Sequence, residues 1–224
     1  VENMSREFLI KKGVPQDKIV TVYNGLKPLD KFTKINLSNY NISDDKVIII
    51  TASRITEVKG LPYLLKSIAD LKEKTKVPFQ YVMIGDGPDL EKLKKIILVL
   101  KIDDCVKCIG YQTNISAWLN VADIFALPSL SEYHSIALLE AMRSGISIVA
   151  TDVGGNGESL RHRKDGILIP SKNVAKLSNA LLELINNKDI RSEYGLSAKT
   201  RFEENFTEKS MKMNLLNALK SWRL

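Results

Sequence analysis

A chain of 224 residues with 44% hydrophobic and 26% charged content can bury a full core, and no low-complexity stretch argues for disorder. The formal charge of +7 suits nucleic acid, anionic lipid or phosphorylated small molecules, yet the basic residues are scattered along helix-like segments without interleaved aromatics, so a solvated basic surface is the default reading. No apolar run approaches the roughly 20 residues of a spanning helix, and Cys105 and Cys108 supply no disulfide framework and, with only His134 and His162 as imidazoles, no complete zinc set.

The chain opens without an initiator methionine or a signal-peptide core, so it reads as a piece of something longer, soluble or at most peripheral, and suited to a reducing cytoplasm. Residues 5–13 predict a helix ending at Gly13, residues 18–25 a strand, and the polar stretch that follows an irregular connector. A lone helix and strand make no core. Residues 1–30 are therefore expected to be the tail of a preceding domain, and 31–45 a linker.

From residue 46 a cycle sets in of a short β-branched run, a loop with Gly or Asp, and a stretch with helical period. Strands are predicted at 46–52, 79–85, 105–110, 123–128, 147–151 and 166–170, with helices between them. The second of these helices is expected to carry Pro88 in its first turn. Strands apolar on both faces and separated by helices predict an α/β fold, a doubly wound parallel sheet of Rossmann-like type, over residues 46–204. Residues 205–224 read as a final helix capped by Thr207, whose stripe of Met211, Leu215, Leu219 and Trp222 is expected to pack on something.

In such a sheet ligands bind beyond the carboxyl ends of the strands, so the residues there are the candidates. After the first strand come Arg54 and, five residues on, Lys59, a plausible phosphate grip because guanidinium binds phosphate oxygens in pairs and lysine adds a point charge. After the third come Gly110 and Tyr111, where a ring or a backbone amide can meet a base. After the fourth comes "SEYHSIALLEAMRSG", with Glu132 before a helix start and Glu140 inside the helix. The free amides of Ser135, Ile136 and Ala137 at that start, together with the helix dipole, form a seat for a diphosphate. Eight residues span at most roughly 12 Å at helical rise, close to the reach of a nucleotide diphosphate, so one carboxylate can serve a ribose and the other a sugar.

Taken singly, Glu132 suits a dipole-complementing acid, Glu140 an arginine partner, and Arg54 and Lys59 surface charges; it is their joint placement beyond the strands that favours a site. His134 is read as a ligand contact and His162 as a surface residue.

The segments "ASRITEVKG", "VMIGDGPDLEKL", "CIGYQTNISAWLNVADIFALPSLSEYHSIALLEAMRSGISIVATDVGGNGE" and "DGILIP" resemble the carboxyl-terminal half of the group 1, family 4-like, retaining glycosyltransferases of the GT-B fold. The Glu-x7-Glu spacing with the upstream Arg and Lys carries most of the likeness, and Gly154–Glu158 adds Gly-Gly-x-x-Glu. The resemblance implies that Arg54 and Lys59 hold the donor diphosphate and neutralise charge as it leaves, that Glu140 binds the ribose, that Glu132 contacts donor-sugar hydroxyls, and that the amides after His134 hold the distal phosphate. It implies a UDP-, GDP- or ADP-sugar donor, no cofactor and no metal, and transfer with retention to a glycan or lipid-linked acceptor in polysaccharide biosynthesis. It further implies an amino-terminal domain that supplies the acceptor site, and a cytoplasmic setting with room for peripheral contact at the inner face of the membrane. This chain alone is expected to bind donor without efficient transfer. Tyr133 and His134 stand where the family usually has glycine and an aromatic or small residue, and Ser147 where a proline is frequent. The rival readings are a non-catalytic nucleotide-sugar module needing a partner domain, an epimerase of the same fold and, weakest, a nucleic-acid binder.

Overall fold

The Ile- and Val-rich runs become six strands in the computed structural model of the chain, which describes residues 3–29 and 34–221. They are β1 (Val47–Ala52), β2 (Phe79–Ile84), β3 (Val106–Gly110), β4 (Ile124–Leu127), β5 (Ser147–Thr151) and β6 (Ile167–Ile169). All pair in parallel, in the order β3-β2-β1-β4-β5-β6. Side chains alternate between two apolar layers, as strand geometry requires. On one face Ile49, Tyr81, Met83 and Val149 pack against α2 (Leu61–Lys74), α3 (Leu90–Val99) and α7 (Val174–Asn186). On the other, Ile48, Ile50, Phe125 and Ile148 meet α4 (Ile115–Asn120), α5 (Ile136–Ser144) and α8 (Lys188–Asn205). The sheet is thus doubly wound, and its order reverses between β1 and β4. Helices α1 (Asn3–Lys11), α6 (Asn156–Ser159) and α9 (Glu208–Ser221) complete the described α-helices.

Two local expectations are corrected. Residues 18–25 form no strand: Lys18 closes the one-turn 3-10 helix Gln16–Lys18, and the next pairing is an isolated bridge between Leu26 and Thr207, one residue beyond the segment. Pro88 lies in a turn ahead of α3, which starts after Asp89, because the Gly85–Gly87 loop first folds back on Ile55. In α9, Ser210 N–H bonds Thr207 Oγ1 at 3.1 Å, as the expected cap requires, and Leu215 and Leu219 are exposed among the described residues. Trp222 lies outside the described residues. Cys105 is buried just ahead of edge strand β3 and Cys108 is half-buried within it. Among the described residues no helix is long and apolar enough to cross a membrane.

Candidate binding site at the strand reversal

The loops after β1, β2 and β4 are joined to one another mainly through main chain. Leu130 N–H bonds the Val58 carbonyl at 2.7 Å, and Ile55 N–H bonds the Asp86 carbonyl at 2.8 Å. Gly60 ends the one-turn 3-10 helix Glu57–Lys59 at φ +64, and a Cβ there would lie 2.1 Å from the Pro128 carbonyl oxygen. Only glycine fits a left-handed turn pressed so closely onto another backbone. From β5, Thr151 Oγ1 reaches across to the Ser129 carbonyl at 2.6 Å.

Behind this rim lies a hollow of about 470 Å3. Ala52, Ser53 and Arg54 line it from β1, Ile84, Gly85 and Asp86 from β2, Tyr111, Gln112, Thr113 and Ile115 from the β3 side, and Glu140 from α5. Arg54, Tyr111 and Glu140, three of the candidates, therefore share one cavity. Arg54 is exposed and Tyr111 is 73% exposed, so both are open to a ligand. Burial pushes the Glu140 carboxyl above the usual carboxylate range, while the charge of Arg143 pulls it back. Gly110 ends β3 at φ +73, and its carbonyl accepts from Gly85 N–H at 2.9 Å, so it holds the β2 loop without lining the hollow.

Lys59 and Glu132 are outside that lining and pair with each other. Lys59 Nζ lies 2.7 Å from Glu132 Oε1, and Ser129 Oγ donates to the same oxygen at 2.7 Å. With side chains only 21% and 10% exposed, the pair is well ordered, and both recorded bonds fall on Oε1. Lysine has three donors, so two N–H bonds of Lys59 remain for an anion.

The start of α5 follows directly. Ser135 is its N-cap, with Oγ accepting from Leu138 N–H at 3.3 Å. Among the described residues no acceptor is recorded for the N–H groups of Ile136 and Ala137, the donors a helix start leaves open. The preceding loop rests on a glycine pair. Gly155 N–H bonds the Tyr133 carbonyl at 2.7 Å, and a Cβ on Gly154, at φ +53, would stand 1.6 Å from the Glu132 carbonyl oxygen. Gly154→Ala is accordingly expected to cost about 2–3 kcal/mol and lower the melting temperature by several degrees, because a left-handed alanine adds strain to the clash. Thermal denaturation of the variant checks this.

His134 does not join the hollow. Its ring is buried 5.2 Å from that of Tyr23 and 5.5 Å from that of Phe206, and its carbonyl accepts from Asn24 Nδ2 at 3.2 Å. His162, read as a surface residue, is exposed and accepts from Leu168 N–H through Nδ1. No role is read from the sequence for Asp86, Thr113 or Ile115 in the lining, for Ser129 at Glu132, or for Tyr23 and Asn24 beside the loop. The first four lie inside the segments that carry the family resemblance, and their position after a strand is the signal that points to them. Among the described residues no three His, Cys, Asp or Glu side chains converge as a metal-binding group.

Residues 33–201 match the family described as Glycosyl transferases group 1. The amylovoran biosynthesis glycosyltransferase AmsK of Erwinia amylovora is 33% identical over 217 residues, which is 93% of this chain and 52% of that protein. The N-acetyl-alpha-D-glucosaminyl L-malate synthase of Bacillus anthracis is 28% identical, over 86% of this chain and 51% of that protein. The chain thus spans about half the length of these curated relatives. Among solved structures, Anabaena Alr3699/HepE in complex with UDP superimposes with a TM-score of 0.85 at 20% identity, covering 98% of this chain and 62% of that one. A glycosyltransferase from Rickettsia africae gives 0.87 at 21% identity with the same coverage. These two likenesses establish the fold, the second half of a GT-B arrangement.

Proposed function

Because the chain belongs to the group 1 glycosyltransferases, we propose that it binds a nucleoside diphosphate sugar at the β1/β4 reversal and forms the donor half of a sugar transfer. The observation that carries this reading is the hollow that Arg54 and Glu140 share beside the start of α5. A cation and a carboxylate in one hollow, with open amides at the start of the helix that carries the carboxylate, suit the pyrophosphate and hydroxyl groups of such a donor.

Glu140 accepts hydroxyl hydrogen bonds from the ribose, and Tyr111 with the 110–113 backbone covers the base. Arg54, Lys59 and the amides of Ile136 and Ala137 take the pyrophosphate. As the bond between the anomeric carbon and the phosphate oxygen breaks, negative charge grows on the leaving group, and donors already in place stabilise it. Glu132, its Oε1 held by Lys59 and Ser129, offers Oε2 to a donor-sugar hydroxyl. These cations and the helix end serve the role a metal plays elsewhere, so the reading includes no metal. The acceptor, a glycan or lipid-linked sugar, attacks with retention of configuration and is held by a further domain, in a cytoplasmic protein that can touch the membrane surface. UDP is the first nucleotide to test, since a structural neighbour is described in complex with it.

Glu140→Gln separates binding from stability. A carboxyl whose folded pKa is raised stabilises the fold when protonated, so at neutral pH the neutral glutamine should raise the melting temperature. The same change should weaken UDP binding about 10-fold in calorimetry, the value of one hydrogen bond to a charged group. Wild-type affinity should also fall on acidification from above the usual glutamate range, and the variant should lack that limb. Equal affinity of variant and wild type would remove Glu140 from the site, and a folded wild type that binds none of UDP, GDP and ADP would end the proposal.

A further inference from the structure

We propose that Tyr23 and Asn24 are positioning residues for the phosphate end of this site, so that the connector carrying them and a bound nucleotide stabilise each other. The inference rests on the nucleotide reading above and adds a regulatory contact to it. Both residues precede the matched span of residues 33–201.

The key contact is the 3.2 Å hydrogen bond from Asn24 Nδ2 to the carbonyl of His134. That carbonyl and the N–H of Ser135 belong to one trans peptide plane and point in opposite directions, so fixing one aims the other. Asn24 thereby sets the orientation of the peptide that leads into α5, where the open amides of Ile136 and Ala137 follow. Tyr23 adds a second hold. Its ring lies 5.2 Å from that of His134 and edge-on to Phe206 at 5.9 Å, and its hydroxyl donates to Glu158 Oε2 at 2.6 Å. Glu158 sits in α6, directly after the glycine pair that supports Glu132 and Tyr133 from the other side.

The connector is itself tied down. Leu26 N–H bonds the Phe206 carbonyl at 2.9 Å, and Glu208 N–H bonds the Leu26 carbonyl at 2.8 Å, at the junction of α8 and α9. Residues 23–26 therefore clamp the 131–135 loop to that junction. Any movement that peels the connector away loosens the loop, and by linkage a nucleotide that orders the loop must tighten the connector by the same factor.

Calorimetry with UDP, thermal melts and hydrogen–deuterium exchange on Asn24→Ala, Asn24→Asp and Tyr23→Phe test this. Asn24→Ala should weaken UDP binding about fivefold to tenfold, and Asn24→Asp, which sets a carboxylate against the His134 carbonyl, should weaken it more. Tyr23→Phe keeps the ring contact and should show the smallest loss. In the wild type UDP should slow exchange of amides at 20–27, and Asn24→Ala should abolish that protection. Lower melting temperatures with wild-type affinity would mark a merely structural contact and overturn the proposal, as would unchanged exchange at 20–27. In either case nucleotide binding itself still stands. If the wild type binds no nucleotide, both readings fall. Should Asn24→Asp not fold, Asn24→Ala and Tyr23→Phe decide.

Discussion

The Arg54→Ala variant is expected to keep the wild-type melting temperature and to bind UDP about 10-fold to 100-fold more weakly, from the roughly 1.5–3 kcal/mol of a hydrogen bond to a charged group. The two halves of that expectation come from the same observation. Arg54 is exposed and enters no recorded ion pair or hydrogen bond among the described residues, so its removal leaves nothing unsatisfied in the fold, while its guanidinium borders the hollow where a diphosphate would lie. Lys59→Ala should behave differently. It strands Glu132, whose side chain is only 10% exposed, and should lower stability and affinity together. Calorimetry beside thermal melts on both variants distinguishes the roles, and an Arg54→Ala variant with wild-type affinity would take Arg54 out of the phosphate grip.

Asp165→Asn is expected to cost about 2–3 kcal/mol and to lower the melting temperature by several degrees, less than a charge pair buried on both sides because Arg161 reaches solvent. Asp165 is fully buried in the turn ahead of β6, facing α8. It accepts from Arg161 Nε and Nη2 at 2.7 Å each, from Arg161 N–H at 3.0 Å and from Ser197 Oγ at 2.8 Å, with Arg201 Nε 3.6 Å away. Burial alone would raise its pKa, but the bonds from Arg161 and Ser197 outweigh that and hold the carboxyl below the ordinary range. The sign of the pH effect follows. The stabilisation is complete above the unfolded aspartate pKa, about 3.9, and is lost as pH falls toward the lower folded value. Acid titration of thermal stability should show this limb in the wild type and a flatter curve in the variant.

The sheet was legible because burial on both faces writes itself into composition: Ile48, Ile49 and Ile50 can only be a strand covered from two sides, and the loops between such runs are long enough for helices. Residues 18–25 show where that logic stops. Their β-branched pattern equals that of a strand, but a strand needs a neighbour to pair with, and among the described residues the bridge to Thr207 comes only at Leu26, just past the segment. Arg54 and Glu140 could be brought together on paper because each follows a strand at the reversal of the sheet. The aromatic trio of Tyr23, His134 and Phe206 could not, since its members come from distant parts of the chain and no spacing connects them. His134 drew attention for its imidazole, whereas its buried ring and its carbonyl make the observed contacts. Asp86 and Thr113 illustrate a third limit: polar loop residues become cavity lining only through the path of the backbone.

The close approaches at Gly60 and Gly154, each against a carbonyl of the segment after β4, make the frame of the crevice a matter of main chain. Tyr111 and Thr113, by contrast, line the crevice as side chains that substitution can exchange. Mutation can therefore exchange the chemical preferences of the crevice while its skeleton stays constant, so descendants of such a chain can diversify in what they recognise long before they diversify in shape.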